Sequence, residues 1–519
     1  MQFSQDGRAS FVKLLTELAQ TYKLWTYDRN TYYQEINRDK LIFTTINPPS
    51  DLREEMSKKH KNKEHCIYQL YHSSKSLLLV KEVSVAVRKC CNLNCLPEEL
   101  HSVIEAIVYE YINANLEDFV DSIEQVSTDY KFQLDSFMKI MSTRVFAFKK
   151  GFMSSVFQFP VTIFNLEEEL KLSDSIRLIP VESMDLPENE LAIFNKGRVF
   201  NCNFYLEIYV KARCSKELAF QQSEKARDAT YNILKLLATY LSPNAIPLLT
   251  SNDRVAHPFS FYRYGGNRES ISNATTYRFP FFQFDSKQFW MEFHRSQNEV
   301  DSIMHTALEV IELLLLPNFG NERVVERLER SLLWYGDAVT ESVYYLQVQK
   351  LVSSMEALVN FNDGDVTDAF KRRITNLNIS YAGPNVEIEE KARRLYDVRS
   401  KIVHGTSIDE KLNFNIVSFC SKNLLRAIYF FSYFGFEKKN FNKTLARFLD
   451  ELPMKIKITD DWGSLEIIKH INTMSILWYK LFYSKNLFSI LCYIPIILLK
   501  IPPIMPKQHL RPLMPHLSC

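Results

Sequence analysis

The sequence predicts a multidomain protein in which an N-terminal α+β region precedes a C-terminal all-α helical bundle. The chain has 519 residues, which is enough for roughly two to four domains with buried cores. Runs rich in aromatic and β-branched residues, the composition of strands, are strongest between residues 126 and 296. From residue 297 the apolar residues recur almost continuously at helical spacing, and the intervening loops are short. This pattern is typical of a helical bundle.

Residues 1–125 form the predicted α-rich N-terminal region. An amphipathic helix begins with Phe11–Leu18, and Leu41–Ile46 has strand composition before two prolines stop it. The basic run Lys58–Lys63 is predicted as an exposed loop. A second helix is predicted from Pro97 to Ile112, because proline is well tolerated in a first helical turn.

Residues 126–296 form a predicted α+β region with a sensing or regulatory role. Strands are expected at 156–159, 204–210 and 281–284, with a helix at 226–241. The region has no Walker loop, no glycine-rich dinucleotide turn and no HExxH motif. It therefore lacks the signatures of a nucleotide-binding enzyme or a zinc protease, and the trigger that it would sense is not encoded in any motif.

Residues 297–450 form the predicted helical bundle. Its expected helices span residues 302–316, 322–359, 366–377, 388–404 and 412–431.

Residues 451–519 form a tail with a short apolar segment at 487–499, which Pro495 interrupts. A bilayer-spanning helix needs about 20 apolar residues. Three interpretations stay open: packing on the body, membrane association, or a poorly ordered end.

The overall composition favours a cytoplasmic protein without a metal or cofactor. The formal net charge is +2, so no global field draws the chain to nucleic acid or membranes. Nine cysteines without regular spacing, and an N-terminus without an apolar run, indicate reduced thiols and no secretory signal. A zinc site is a minor alternative, because its candidate ligands lack paired-knuckle spacing. Those candidates are His60, His65, Cys66, His72, Cys90, Cys91, Cys95 and His101.

The most informative segment is Leu395–Gly405, which carries an arginine and a histidine at a helix end. Arg399 offers a permanently charged, two-pronged phosphate grip, and His404 carries a side chain that exchanges protons near neutral pH. On one continuous helix the two would point roughly 140° apart, at about 100° per residue. Gly405 is a suitable C′ residue. We therefore expect the helix to end there and the His404 ring to turn back toward Arg399.

The wording LYDVRSKIVHG, residues 395–405, resembles the Arg-x4-His motif of HEPN ribonucleases, and most closely the Apea-like branch. An upstream helix ending in MEALV, residues 355–359, stands where this family often places an acidic residue. The likeness covers about residues 297–450.

The resemblance implies an all-α, usually dimeric enzyme that cuts RNA without a metal. His404 would act as the acid–base group and Arg399 would stabilise charge on the phosphate, with Glu356 and Ser400 as auxiliary residues. The products would be a 2′,3′-cyclic phosphate and a 5′-hydroxyl. The resemblance also implies a toxin-like role in antiviral, anti-phage defence, in which the N-terminal region holds the nuclease inactive until it is triggered.

Neighbouring cations would hold the RNA substrate through its phosphates. They are Lys401, Arg394, Arg393, Arg372 and Arg373. The alternative for these residues is a solvated helix face.

Each site residue also has a purely structural interpretation. Arg399 would pair with Asp397 or Glu390, His404 would cap the helix, and Glu356 would be a solvated flank. The corresponding alternative function is a catalytically inactive HEPN protein that serves dimerisation or binds RNA or a partner. A membrane-tethered sensor, held by the tail, is a third and less favoured class.

Overall fold

The computed structural model describes residues 3–36, 44–61, 67, 69–115, 119, 133–183, 188, 202–242, 247–249, 259–265, 271–277, 286–297, 303–316, 322–361, 364–378, 385–405, 412–435 and 444–458. Helices dominate this part of the chain, and antiparallel strands are confined to its first 277 residues. The predicted order, an α+β region followed by helices, is confirmed at this level. The tail with its apolar segment 487–499 lies outside the described residues.

The N-terminal region is built mainly from helices around an aromatic core. Its elements are α1 (Gln5–Tyr27), α2 (Arg29–Ile36), β1 (Thr44–Ile46), α3 (Ser50–Lys61), β2 (Leu70–His72), α4 (Ser74–Cys91), a 3₁₀ turn (Pro97–Leu100), α5 (His101–Ala114) and α6 (Leu134–Lys149). The rings of Phe11, Tyr111 and Phe137 contact one another at its centre. Aromatic burial of this kind contributes a large share of core stability.

The middle region contains one five-stranded antiparallel sheet and a hairpin. Its elements are β3 (Met153–Ile163), β4 (Leu170–Lys171), β5 (Ile176–Pro180), β6 (Phe204–Cys214), α7 (Lys216–Leu241), β7 (Leu248–Leu249), β8 (Phe259–Gly265), β9 (Ile271–Tyr277) and α8 (Ser286–Gln297). The strand order in the sheet is β4-β5-β6-β3-β7, and β8 pairs with β9. Opposite residues such as Phe159 and Leu206 fix the register of the two longest strands.

In its described residues the C-terminal region is a packed group of seven helices. They are α9 (Ile303–Leu314), α10 (Glu322–Val339), α11 (Tyr344–Val359), α12 (Val366–Leu377), α13 (Val386–Val403), α14 (Ile416–Phe434) and α15 (Leu445–Ile458). Helix α11 lies between neighbours, because it packs against α10, α12, α13 and α14. It therefore positions residues from several helices around itself.

Helix α7 belongs to both the sheet and the bundle. One part of its surface covers β3 and β6, and another packs against α9, α10 and α14. Thr239 and Tyr335 share a buried hydrogen bond of 2.6 Å, and Glu312 on α9 accepts a 2.7 Å bond from the Ser175 hydroxyl at the turn before β5. The predicted boundary near residue 296 therefore does not separate two independently packed bodies.

Three sequence predictions about single elements differ from the structure in part. Residues Lys58–Lys61 belong to α3 rather than a loop, which suits lysine because its long side chain retains its freedom in a helix. The helix predicted at 226–241 begins ten residues earlier, where the Ser215 side chain accepts a bond from the backbone N–H of Leu218.

The single helix predicted over 322–359 is instead two, α10 and α11. The chain leaves helical geometry at Thr340–Val343, where the Glu341 carboxylate accepts the Val343 N–H at 3.0 Å. The apolar spacing continues through the break, so periodicity alone does not reveal it.

The strand predicted at 281–284 lies outside the described residues, as do residues 41–43 of the first predicted strand. No helix in the described part of the chain is both long and apolar enough to cross a bilayer.

Candidate active site

The end of α13 has the geometry that the sequence predicts. The helix begins after Asn385, whose side chain accepts the N–H groups of Glu387 and Ile388. It ends at Val403, and Gly405 adopts a left-handed φ of +69°. His404 donates its N–H to the Ser400 carbonyl at 3.0 Å. The prediction of a glycine-terminated helix is confirmed, and His404 lies just beyond its last helical residue.

Arg399 lies on the side of α13 that faces the bundle. Ala392, Leu395 and Tyr396 define this side because all three are buried, and Arg399 follows them at helical spacing. Its side chain is 27% exposed and reaches Glu356 on α11, with 3.4 Å between Nη2 and Oε2. The structure therefore brings together two of the predicted site residues from separate helices.

Tyr396 joins this pair and is a residue that the sequence interpretation missed. Its hydroxyl shares side-chain hydrogen bonds with Glu356 and Thr367, and the Arg399 guanidinium carbon lies 5.7 Å from its ring centroid. Burial raises the pKa of Tyr396, and the negative charge of Glu356 raises it further. The sequence feature that could have identified Tyr396 is its position, three residues before Arg399 and therefore on the same helix face.

The Arg399 side chain is incompletely paired. Its Nε atom is buried, and it has no hydrogen-bond partner in the described structure. The contact with Glu356 uses one terminal nitrogen of the five N–H donors that a guanidinium carries. Donors are thus left for a ligand.

His404 is exposed, and Ser400 is half-buried one residue after Arg399. Within the residues that the structure describes, the His404 ring makes no hydrogen bond to Arg399 or to any other group. The expected return of the ring to Arg399 is therefore not observed in a single copy of the chain. The imidazole is instead open to solvent at the helix end.

The five cations predicted to hold RNA differ in their surroundings. Arg372 contacts Asp368 and Asp450, and Arg393 contacts Glu390 and Asp397. These pairs offset their positive charges.

Arg373 is a correction to the predicted RNA-binding set, because its side chain is only 3% exposed. It binds Asp450 and the Val359 carbonyl inside the bundle. A cation enclosed in this way has no surface to offer to RNA.

Arg394 hydrogen-bonds Asn413 at 3.1 Å, and Lys401 is exposed in the last turn of α13. These two residues keep positions that suit a phosphate contact.

The candidate zinc ligands take part in other contacts. His72 is buried between the Ser76 hydroxyl, 2.8 Å from Nδ1, and Glu105, 3.2 Å from Nε2. Cys90 and Cys91 contact each other through their thiols, and burial raises the pKa of Cys91 to about 12. No group of three or more His, Cys, Asp or Glu side chains in the described ranges is placed to hold a metal ion. His65 and Cys66 lie outside those ranges.

Comparison of the chain with models of protein families, with curated proteins and with solved structures gives no match. A functional proposal must therefore rest on the residues and their geometry. These provide a guanidinium with unused donors, a carboxylate and a phenol beside it, and a solvent-exposed imidazole five positions along the chain. Such groups bind a phosphate and move a proton.

Proposed function

We propose that the chain is a metal-independent endoribonuclease of the HEPN type. One observation carries the proposal. Arg399 extends from the bundle-facing side of α13 to Glu356 on α11, and the helix then stops so that His404 lies exposed beyond its end. Arg399 and the upstream acidic residue Glu356 thus meet between two packed helices, and His404 follows at the end of the same helix, which supports the proposal.

In the proposed reaction, His404 takes the proton of a ribose 2′-hydroxyl and that oxygen attacks the neighbouring phosphorus. An O2′–P bond forms, the P–O5′ bond breaks, and a proton passes to the departing 5′ oxygen. Arg399 stabilises the charge that gathers on the phosphoryl oxygens. The products are a 2′,3′-cyclic phosphate and a 5′-hydroxyl, and DNA resists because it lacks the attacking hydroxyl.

A second copy of the chain completes the site in this proposal. Arg399 and His404 do not contact each other within one copy, so a homodimer formed through the bundle would place the two motif helices against one shared phosphate. Glu356 and Tyr396 then serve as positioning residues, because both contact the Arg399 side chain. Ser400, half-buried beside Arg399, is an auxiliary polar group.

Uncontrolled cleavage of this kind would be toxic to the cell, which fits a role in defence against viruses. In that role the N-terminal and middle regions restrain the nuclease until an unidentified trigger acts on them. Contacts such as Glu312 with Ser175 support this part of the proposal, because they couple the sheet to the bundle.

A second candidate is an inactive HEPN protein that dimerises or binds RNA or a partner. The observation in its favour is the position of Arg399 on the core-facing side of α13, where its ion pair with Glu356 has a structural role of its own. This candidate predicts RNA binding without cleavage.

The deciding experiment incubates the full chain with mixed cellular RNA in EDTA. Three proteins are compared: the wild type, His404→Ala, and His305→Ala as a control at another exposed histidine. We expect the His404→Ala rate to fall about 10²- to 10⁴-fold, the usual effect of losing an acid–base group. The control should cut at the wild-type rate and leave cyclic phosphate ends. Equal cleavage by His404→Ala rules out the proposed mechanism, and no cleavage by any of the three leaves two explanations, a nuclease still restrained without its trigger or the binding-only candidate.

A further inference from the structure

Four cations gather where α13 and α14 approach each other, on a surface that the sequence interpretation recognised only in part. Lys391 and Arg394 lie on α13, and Lys422 and Arg426 lie on α14. At about 100° per residue each pair falls on one side of its helix. We call these four residues the α13–α14 cation patch.

Aromatic contacts join the two helices at this patch. The Lys391 ammonium lies 5.8 Å from the centroid of the Phe414 ring, and Phe414 contacts Phe419 edge-on at 5.5 Å. Lys422 follows Phe419 by three residues, which is one turn of α14. Lys391 is also close enough to Lys422 for the two positive charges to repel each other.

The patch has few carboxylate partners in the described part of the chain. Lys391 has one carboxylate partner, Glu387. Arg394 hydrogen-bonds the amide oxygen of Asn413 and interacts electrostatically with Glu390, and Arg426 donates to the Leu377 carbonyl at 3.3 Å. Lys422 has neither a hydrogen bond nor an ion pair within the described chain. Lys422 and Arg426 thus have no carboxylate partner in the described part of the chain, and Lys391 adds a third positive charge near Lys422.

The pKa of Lys422 shows that this arrangement is unfavourable for a charged ammonium group. Desolvation of its ammonium group lowers the pKa of Lys422, and repulsion by Lys391 and Arg426 lowers it further. Burial likewise lowers the pKa of Arg426. Like charges held together are unfavourable in the free protein, and an anion bound between them would relieve the repulsion.

We propose that the α13–α14 cation patch binds the phosphate backbone of single-stranded RNA. The inference rests on the proposed ribonuclease function for its choice of ligand, and it names the substrate-holding surface of that enzyme. The patch shares α13 with Arg399 and His404, so RNA that lies along it runs toward the candidate active site. Backbone contacts of this kind add affinity without sequence preference.

The test measures binding of a fluorescein-labelled single-stranded RNA of mixed sequence to the full chain. All proteins carry His404→Ala, so that binding is read without cleavage. The patch variant adds Arg394→Gln and Lys422→Gln, which spares the more buried Arg426. The control variant adds Lys171→Gln and Arg447→Gln, two exposed cations that are paired with Asp174 and Glu451. Each variant loses two positive charges.

We expect the patch variant to lose at least about tenfold in affinity at low salt, and its slope of log affinity against log salt to fall by about 1.4, at about 0.7 per lost contact. The control should bind within about twofold of its parent. Equal losses in both variants, or no loss in the patch variant, would overturn the inference. Thermal unfolding of each protein separates lost binding from lost structure. In a partly unfolded sample, the salt slope still reports the phosphate contacts of the molecules that remain folded.

The binding result is independent of the cleavage result. If the wild type does not cut RNA and the patch variant still loses binding, the RNA-binding surface stands without the ribonuclease proposal. If the wild type cuts RNA and the patch variant binds normally, the surface is wrong and the enzyme proposal stands. Normal RNA binding together with loss of an acidic protein ligand would assign the patch to a protein partner and overturn the inference.

Discussion

Two arginines of the bundle, Arg373 on α12 and Arg399 on α13, have the same kind of partner and very different surroundings. Each reaches a carboxylate on another helix, Asp450 and Glu356 respectively. Arg373 is 3% exposed and binds Asp450 through two nitrogens, at 2.9 and 3.0 Å. Arg399 is 27% exposed and makes one contact of 3.4 Å.

The two arginines differ in how many of their N–H donors are already hydrogen-bonded. Arg373 also binds the Val359 carbonyl and lies 5.1 Å from the Phe361 ring, whereas the Arg399 Nε has no partner in the described structure. A guanidinium whose donors are occupied stabilises the fold, and one whose donors remain is available to a ligand. The comparison separates a structural arginine from a candidate functional one within the same bundle.

The largest expected effect is on stability, from Arg373→Met. The change leaves the Val359 carbonyl and part of Asp450 unpaired in the interior, so the free energy of unfolding should fall by about 3 kcal/mol. The low end of the range for a buried pair applies, because Arg372 keeps a 3.3 Å contact with Asp450. Urea unfolding measures it. Arg393→Met, which removes only two exposed pairs, is the control, and an equal midpoint for the two variants would contradict the assignment of Arg373.

The second prediction concerns Arg399, where we expect a loss of activity with little loss of stability. Arg399→Lys keeps the charge beside Glu356 but loses the fork of donors, so stability should change by no more than about 1 kcal/mol. RNA cleavage should fall about 10²- to 10³-fold, the range for losing one preplaced donor to a transition state. Single-turnover cleavage rates provide the measurement. A variant that is unstable but fully active when folded would show that Arg399 resembles Arg373 after all.

The smallest expected effect concerns the helix end that follows Arg399. Gly405 has a φ of +69°, and no heavy atom of the described residues lies within 4 Å of the point that an alanine Cβ would occupy there. Gly405→Ala therefore costs conformational energy and meets no steric clash. We expect a loss of about 1 kcal/mol, the penalty for left-handed geometry at a non-glycine residue. Urea unfolding would detect it. The Gly151→Ala variant, at a glycine without positive φ, is the control, and an equal or smaller loss for Gly405→Ala would show that this helix end is not specified by its glycine.

Local signals allowed much of the bundle to be predicted from sequence. The helix predicted at 366–377 has those same bounds in the structure, because its apolar spacing is clear and Asp365 caps its first turn. The break near Thr340 escaped prediction because it depends on how Glu341 and Lys350 pair once two helices have folded together. The strand order of the sheet likewise depends on contacts between distant segments.

The candidate site divides in the same way. The motif spacing and Gly405 predicted that Arg399 lies on α13 and His404 at its end, and the upstream wording predicted a neighbouring acid, but the expected approach of the His404 ring to Arg399 is not observed. The burial of Arg373 could not be predicted, because its partner Asp450 is 77 residues away in the chain. The sequence interpretation missed Lys422 and Arg426 for a similar reason. Both lack a carboxylate partner in the described part of the folded chain, and the sequence alone does not show this.

Helix α7, with its 26 residues shared between sheet and bundle, limits how the molecule can be dissected. A recombinant fragment that starts at residue 297 would lack α7 and uncover apolar sides of α9, α10 and α14, which favours aggregation. A fragment that starts at Ser215 would keep α7 but lack β3 and β6, which cover its other side. The two halves are thus not interchangeable modules, and their roles are better separated by point substitutions than by truncation.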